Sequence, residues 1–364
     1  MNFLKNLFNK KDKPIKTYHE FWEWFVANER KFFAAVQKRD AIEAEFFNAL
    51  SAKLGELRSG YFYLAGMPSE DLVDLTFTAD GNIKNMVFVE ELVNAAPRIE
   101  GWEFTALKPP IDDIGGMYIS MGGEKFSSEN IFFYADDDAD CPDEINIKVV
   151  HADMDENNKD TIINGTYIFL DNFLGELRFA TTVDNLTVIG KVDAEQELVP
   201  IEKLKTFLIW REKEFIEKYE GVRHDTEQDT YSALEATLEN GNPLVAIINT
   251  DLLRWDARAS HPWVAAMEIK YNGQNNNGMP DNPTYQLLNQ IEEGIMAELK
   301  DIDGYLNIGR QTADNSREVY FACKDFRKPS KVLDAVVQQY AGKLAISFDI
   351  YKDKYWQTFN RFMP

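Results

Sequence analysis

The sequence predicts an α+β protein whose last third forms a ferredoxin-like sandwich, and three observations support this prediction. Apolar and polar residues alternate in several short segments after Trp263, which is the period of half-buried strands. Two segments between them repeat apolar residues every three or four positions, which is the period of a helix. The resulting order of strand, helix, strand, strand, helix, strand is typical of one mostly antiparallel sheet with two helices on one face.

The helices and strands of this C-terminal part have recognisable boundaries in the sequence. Asn282 is expected to cap the first helix, with Pro283 at its first helical position, where the missing N–H has no consequence. The composition of residues 313–316 predicts a hairpin turn between the second and third strands. A second helix is expected to begin near residues 328–330. The four strands are predicted at residues 263–271, 305–312, 317–324 and 344–350.

The N-terminal part is predicted to be an α+β region led by a helical hairpin. Thr17 and Glu20 have the spacing of a capping box, and a helix is expected from there to about Lys38. Asp40 and Glu43 repeat that spacing and predict a second capped helix. Further helices are predicted at residues 85–96, 160–174 and 200–219. Strands are predicted at residues 61–65, 72–78, 102–107, 117–121, 131–134, 145–150 and 186–189.

The domain boundaries follow from length and local composition. A chain of 364 residues suggests two or three domains, and the polar, aperiodic residues 220–229 are the best candidate linker. We therefore predict a flexible basic N-terminus at residues 1–16, an N-terminal α+β domain at 17–220 and a C-terminal ferredoxin-like domain at 230–364. Two strands at residues 231–237 and 244–249, joined by a hairpin turn that contains Gly241, are expected to extend the C-terminal sheet.

Several short motifs from about Asn242 onward resemble the bacterial domain-of-unknown-function 695 family. They are Asn277-Gly-Met-Pro-Asp281, Ile291-Glu-Glu293, Gly309-Arg-Gln-Thr312 and Arg317-Glu-Val-Tyr-Phe321. The family has no assigned activity, so the resemblance implies none for this chain in either direction. It does imply an association, in some bacterial proteins, with a regulator-of-ribonuclease-activity B domain, an acidic inhibitor of ribonuclease E. That association would favour regulation through protein contact, although a shared fold does not establish function.

Charge and cysteine content narrow the functional classes. The net charge of −22 argues against binding of nucleic acid or of anionic membranes, both of which need clustered basic side chains. It can reflect solubility alone, or an acidic face that meets a basic protein partner. Two cysteines distant in sequence fit a reducing cytoplasm. No signal peptide and no membrane span are predicted.

No catalytic, cofactor-binding or metal-ligating residues are predicted. The acidic residues at 136–144 are interpreted as a solvated loop, and the calcium-like spacing that begins at Asp153 fails because Asn164 occupies the position that needs glutamate. Ser260 and His261 near Asp256 have the residue types of a triad but no nucleophile-elbow motif. Phosphate-binding glycine loops are absent from the sequence.

Two sets of residues are candidates for binding. The loop Asn277, Gly278, Met279, Pro280 and Asp281 is a candidate interaction loop, with a turn plus helix cap as the alternative interpretation. Arg310 and Arg317 lie on adjacent predicted strands and are candidate anion contacts. Alternatively, they pair with Glu292 or Glu318.

The sequence thus predicts a cytoplasmic bacterial protein that acts as a non-enzymatic interaction or regulatory module. The alternative is an enzyme or small-ligand binder that uses a cleft between the two domains, with polar groups of shifted pKa converging there. A third interpretation, a metal-dependent hydrolase, would need carboxylates of the acidic loops to converge.

Overall fold

The computed structural model describes residues 14–363, and its contacts divide the chain into two compact units. One unit comprises the residues up to Asp112 together with Leu170–Leu177, and the other comprises Asp113–Phe169 together with the residues from Arg178 onward. Most of the predicted basic N-terminus, residues 1–13, lies outside the described residues. Both units contain helices and strands, so the α+β class is confirmed.

The first unit packs helices and a three-stranded sheet around an aromatic core. Its elements are α1 (Tyr18–Lys38), α2 (Asn48–Leu57), β1 (Phe62–Ser69), β2 (Leu72–Thr78), α3 (Ile83–Asn94) and β3 (Trp102–Ala106). The sheet order is β1-β2-β3, with β2 and β3 parallel. Phe21, Trp22 and Phe25 of α1 are buried in this unit, because they lie on the apolar face of the helix.

The two helix starts predicted for the hairpin have different outcomes. At α1 the Thr17 hydroxyl accepts from the Glu20 N–H and the Glu20 side chain accepts from the Thr17 N–H, so the capping box is confirmed. The capping box predicted at Asp40 and Glu43 does not form, because within the described residues neither side chain is hydrogen-bonded to the N–H of the other. Instead, Ile42 N donates to the carbonyl of Arg39, the residue that ends α1, at 3.4 Å. A π-helical turn at Glu43–Phe47 leads directly into α2.

The second unit begins with a smaller four-stranded sheet. Its elements are β4 (Tyr118–Met121), β5 (Glu124–Ser127), β6 (Ile131–Ala135), β7 (Asn146–His151), α4 (Lys159–Leu174), α5 (Glu176–Thr182), β8 (Asn185–Gly190), β9 (Val199–Pro200) and α6 (Leu204–Tyr219). The sheet order is β8-β7-β6-β9, and β4 pairs separately with β5. Helices α4 and α5 contribute residues to both units. Strands β5 and β9 and helix α5 were not predicted from the sequence.

The C-terminal region forms a six-stranded antiparallel sheet. Its elements are β10 (Tyr231–Thr237), β11 (Pro243–Asn249), α7 (Thr250–Leu253), β12 (Trp263–Lys270), α8 (Asn282–Glu298), β13 (Tyr305–Ala313), β14 (Ser316–Cys323), α9 (Arg327–Gln339) and β15 (Ala345–Lys352). The strand order is β10-β11-β13-β14-β12-β15. The predicted order of helices and strands from residue 263 is present. The hairpin β10–β11 extends the sheet beside β13, as predicted.

The central strands β12, β13 and β14 of this sheet are buried on both faces, whereas the prediction was one sheet with helices on one face. Arg317 on β14 contacts α8, so every second residue of that strand faces the two helices. The opposite face carries Val264 and Tyr320, which pack against residues that follow the last strand. These residues are Trp356, Phe359 and Phe362.

The predicted linker at residues 220–229 is bound to the C-terminal region. Thr226 N donates to Asp301 Oδ2 at 2.8 Å, and the Lys324 ammonium donates to the Val222 carbonyl. The contacts divide the chain at Asp112, whereas the predicted domain boundary lies at 220–229. The smaller sheet therefore groups with the C-terminal sheet, and the polar network that joins them is described below.

Candidate functional site

The acidic residues between β6 and β7 border an open polar cleft. We name residues 136–144 the acidic loop, and it holds Asp136, Asp137, Asp138, Asp140, Asp143 and Glu144. Beside it lies an open cleft of about 660 Å³, the acidic cleft, whose other wall is formed by the end of β15 and the residues after it. Two lysines, Lys352 and Lys354, line this cleft. Its six carboxylates belong to Asp136, Asp137, Asp138, Glu144, Asp184 and Asp353.

A shared carboxylate holds the two lysines of the cleft. Asp184, which directly precedes β8, pairs with the ammonium of Lys352 at 2.8 Å and with that of Lys354 at 2.8 Å. Lys354 also donates to the Asp143 carbonyl at 2.6 Å. Burial lowers the pKa of Lys352 to about 8, with Lys354 adding to the effect and Asp184 opposing it. This ion triad joins the smaller sheet to the edge strand β15.

Asp143 anchors the base of the acidic loop. Its carboxylate accepts from Lys218 at 2.6 Å and from the hydroxyls of Tyr219 and Tyr355, both at 2.7 Å. Burial opposes ionisation of Asp143, but the hydrogen bonds from Lys218, Tyr355 and Tyr219 outweigh it and lower the pKa of this carboxyl. Asp143 is therefore a structural group and is not available to a ligand.

The tip of the acidic loop keeps uncompensated negative charge. Arg211 on α6 pairs with Asp137 at 2.8 Å and donates to the carbonyl of Glu144 at 3.0 Å. Asp138 and Asp140 are exposed and have no basic partner among residues 14–363. Burial and the nearby charge of Asp184 raise the pKa of Glu144. Lys148 pairs with Asp136 at 3.5 Å. The six carboxylates of the cleft therefore exceed by two the four cations that contact them, which are Lys148, Arg211, Lys352 and Lys354. Asp138 and Asp353 have no basic partner among residues 14–363.

The predicted interaction loop is hydrogen-bonded to the residue that follows β12 and to the hairpin turn between β13 and β14. Asn277 and Gly278 both have left-handed backbone angles, and the Gly278 carbonyl accepts from Asn315 N at 2.8 Å and from the Tyr271 hydroxyl at 2.9 Å. A Cβ at Gly278 would lie 2.8 Å from the Asp314 Cα, so the close approach needs glycine. These contacts support the interpretation as a turn.

The cap of α8 lies one residue earlier than predicted. Asp281 Oδ1 accepts from Thr284 N at 2.9 Å, so Asp281 is the cap and Asn282 is the first helical residue. Asp281 has the extended backbone that a cap needs. Met279 and Asp281 also line an open groove of about 620 Å³, so the role of residues 277–281 in protein contact stays a prediction.

Arg310 and Arg317 meet the same carboxylate inside the C-terminal region. Glu292 on α8 accepts from Arg310 at 2.8 Å and lies 3.9 Å from Arg317 Nη1. Arg317 further donates to Thr312 Oγ1 at 3.1 Å and to Asn289 Oδ1 at 2.8 Å. Burial lowers the pKa of Arg317, and the neighbouring Arg310 acts in the same direction. The alternative pairing with Glu292 is therefore present, and a role as contacts for a bound anion stays a prediction.

Ser260 and His261 do not form an accessible catalytic pair. The Ser260 hydroxyl lies 2.8 Å from His261 Nδ1, but both side chains are buried, whereas Asp256 is exposed. Burial lowers the pKa of His261 to about 3, and the positive charge of Lys324 adds to this effect. The imidazole is consequently neutral at ordinary pH and packs against Trp255 at a ring distance of 5.4 Å.

Two further observations concern the described residues only. Across residues 14–363, no group of three or more histidine, cysteine, aspartate or glutamate side chains is arranged to hold a metal ion. None of the helices described above combines the length and the apolar character that crossing a membrane would require.

Asp184, Lys352 and Lys354 were not predicted as site residues from the sequence. Asp184 lies about 170 positions from the lysines that it binds, so no local pattern joins them. One signal was available: Lys352 and Lys354 are two positions apart at the end of the most clearly alternating strand, and would thus lie on one face.

No curated protein and no solved structure matches this chain. The ferredoxin-like name for the C-terminal unit and the association with a regulator-of-ribonuclease-activity B domain therefore stay predictions. The C-terminal third, residues 236–363, matches the family model described as a family of unknown function, DUF695.

Proposed function

We propose that this chain is a cytoplasmic, non-enzymatic interaction module that binds a lysine- or arginine-rich segment of a partner protein at the acidic cleft. The observation that supports it best is the charge of that cleft, where six carboxylates face two lysines. The two lysines are already held by Asp184, so they do not neutralise the tip of the acidic loop.

The overall charge of the chain also favours binding of a basic partner. A net charge of −22 attracts a basic partner over distances of about 10 Å at moderate salt, and the open cleft concentrates that field. Exposed carboxylates such as Asp138 and Asp140 contribute mainly to the association rate and to the choice of partner. We therefore expect binding that weakens strongly as salt is added.

The test compares two pairs of exposed carboxylates. The probe is a fluorescent peptide of alternating lysine, arginine and serine, and the variant is D138N/D140N. The control, E235Q/E239Q, removes the same charge near β10, at the opposite edge of the six-stranded sheet from β15.

We expect D138N/D140N to bind the peptide about five- to tenfold more weakly, since each exposed charge contributes up to about 1 kcal/mol. The control should bind within about twofold of the wild type. Equal binding by all three proteins, or no dependence on salt, would refute the proposal.

A second candidate is the small-ligand or enzymatic function, with the acidic cleft as its site. The specific observation that favours it is the lowered pKa of Lys352 beside the raised pKa of Glu144, because perturbed groups in a cleft are common at active sites. Here the test is the rate of acetylation of individual lysines by acetic anhydride near pH 8, read by mass spectrometry. A reactive Lys352 should be labelled faster than the exposed Lys270, and slower labelling would remove the observation that favours this candidate.

A further inference from the structure

Helix α6 holds an exposed tryptophan. The chain has seven tryptophans, all within the described residues, and Trp210 is the only one of them that is exposed, at 53%. A tryptophan combines a large apolar ring with one hydrogen-bond donor, and such side chains contribute strongly to binding where a partner covers them. The surroundings of this ring therefore indicate what kind of partner it fits.

Trp210 lines a groove between α6 and the acidic loop, which we name the α6 groove. The groove is open and has a volume of about 590 Å³. Phe215 also lines it from α6, and Asp137 and Asp138 line it from the acidic loop. Glu214 lies four positions after Trp210, on the same side of the helix, and lines the groove as well. Aromatic rings and carboxylates thus border the same space.

The two cations that line the α6 groove are already paired within the protein. Arg211 pairs with the acidic loop at 2.8 Å. Lys218 lies four positions after Glu214 and could pair with it, but its ammonium contacts Asp143 instead, at 2.6 Å. Asp138 and Glu214 are exposed and have no basic partner among residues 14–363. The groove is therefore lined by four carboxylates and two cations, and its excess charge is negative.

We propose that the α6 groove receives an arginine side chain of the basic partner, with the guanidinium stacked on Trp210 and its N–H groups directed at Asp138 and Glu214. This inference rests on the proposed function, because it specifies one side chain of the segment that binds beside the acidic loop. Asp138 lines both the acidic cleft and the α6 groove, so a segment bound at the cleft can place a side chain across the loop.

Arginine is the side chain that fits both parts of the groove. Its planar guanidinium stacks on an aromatic face within about 6 Å, and its fork of N–H groups matches the geometry of a carboxylate. Lysine carries a compact and strongly hydrated charge, so it gains the carboxylates but less from the ring. An uncharged apolar side chain would cover Trp210 and leave Asp138 and Glu214 without a cation. A second copy of this chain also has a net charge of −22 and is repelled.

The test uses two short peptides that carry the same charge. Both alternate lysine and serine, and they differ at one central position, which is arginine in the first and lysine in the second. Affinity is measured by fluorescence anisotropy at a single salt concentration. Because the charges are equal, the ratio of the two affinities reports the contact with the ring, whereas the affinities themselves report the proposed function.

We expect the wild type to bind the arginine peptide about three- to fivefold more tightly than the lysine peptide, which is the gain from a cation–π contact at an exposed site. W210A should bind the two peptides about equally. The control I209S changes the neighbouring side chain, which is exposed to the same degree but lies outside the groove, and should keep the preference. Both positions are exposed, so the variants should fold, and their unfolding temperatures check this.

Two further measurements test the geometry. E214Q should weaken binding of the arginine peptide by about threefold, because it removes one exposed carboxylate, whereas E235Q, outside the groove, should not. In the unaltered wild type, the arginine peptide should protect tryptophan fluorescence from quenching by acrylamide, since Trp210 is the exposed ring. W210A should show no such protection. An unchanged quenching curve in the wild type would overturn the stacked arrangement without any variant.

The outcomes separate the two proposals. If D138N/D140N weakens both peptides while the wild type shows no preference between them, the proposed function stands and the arginine contact is refuted. A preference that persists in W210A, or that disappears equally in I209S, would likewise refute it, since the discrimination would not come from the ring. When neither peptide binds, both proposals are refuted.

Discussion

Replacing Glu292 by glutamine should destabilise the C-terminal region, because two guanidinium groups then lose their shared carboxylate. At an effective dielectric constant of about 20, unit charges attract by about 6 kcal/mol at the 2.8 Å of Arg310 and about 4 kcal/mol at the 3.9 Å of Arg317. Part of this lost attraction is offset in E292Q, because a neutral glutamine does not pay the cost of moving a charged carboxylate out of water. Breaking one partner of a buried pair costs about 3–5 kcal/mol in comparable cases.

The partial exposure of Arg310 places the expected loss of stability in E292Q near the lower end of that range. The side chain of Glu292 is 5% exposed and that of Arg317 is 1% exposed, but that of Arg310 is 20% exposed and keeps some contact with water. We therefore expect about 3 kcal/mol for E292Q. The adjacent Glu293 is exposed, so E293Q is a matched control that should change the stability by less than about 0.5 kcal/mol.

The assay is hydrogen exchange of the peptides that cover α8 and β13, since exchange reads the opening free energy of one region in a chain with two units. A double variant, E292Q/R310M, should recover part of the loss because it also removes one uncompensated charge. Equal protection in E292Q and E293Q would refute the reasoning. Stabilisation of the wild type by phosphate, beyond that by chloride at the same ionic strength, would instead support Arg310 and Arg317 as anion contacts.

Three further predictions concern the same region. His261 has a folded-state pKa of about 3, below its unfolded value, so its contribution to stability is present above about pH 6.5 and is lost as the pH falls towards 3. Urea unfolding should show about 2 kcal/mol less stability at about pH 5 than at about pH 7.5, and H261Q should flatten this slope. G309A should prevent folding or cost several kcal/mol, because its Cβ would lie 2.1 Å from the Ile247 carbonyl oxygen, whereas G294A meets open space inside α8 and should stabilise by up to about 1 kcal/mol. Soluble yield and unfolding temperature check this contrast. D281A should cost about 1 kcal/mol in the exchange of α8 amides, and N282A less than half of that, if Asp281 is the cap.

Local patterns located most elements of the fold correctly. β10 was placed at its observed bounds, because alternation and a glycine-containing turn both act over a few residues. The π-helical turn before α2 was not foreseen, since such turns are rare inside α-helices. β9 has only two residues and no pattern long enough to detect.

The candidate site was less accessible to prediction than the fold. The acidic loop was recognised as a cluster, but its solvated interpretation ignored Lys354 and Tyr355, which bind Asp143 from more than 200 positions away. Such contacts depend on how the two sheets pack against each other, and local sequence patterns do not predict that packing. Trp210 likewise appears in the sequence as one more apolar residue of a helix, and only the packing of α6 leaves it exposed.

The ion triad at Asp184 has a consequence for any shortened version of this chain. A fragment cut at the family boundary, residues 236–363, would start inside β10 and would lack the smaller sheet altogether. The ammonium groups of Lys352 and Lys354 would then be hydrated or would repel each other, because the Asp184 carboxylate that now pairs with both would be absent. The family segment of this protein therefore lacks the carboxylate that pairs with Lys352 and Lys354, because Asp184 lies outside residues 236–363.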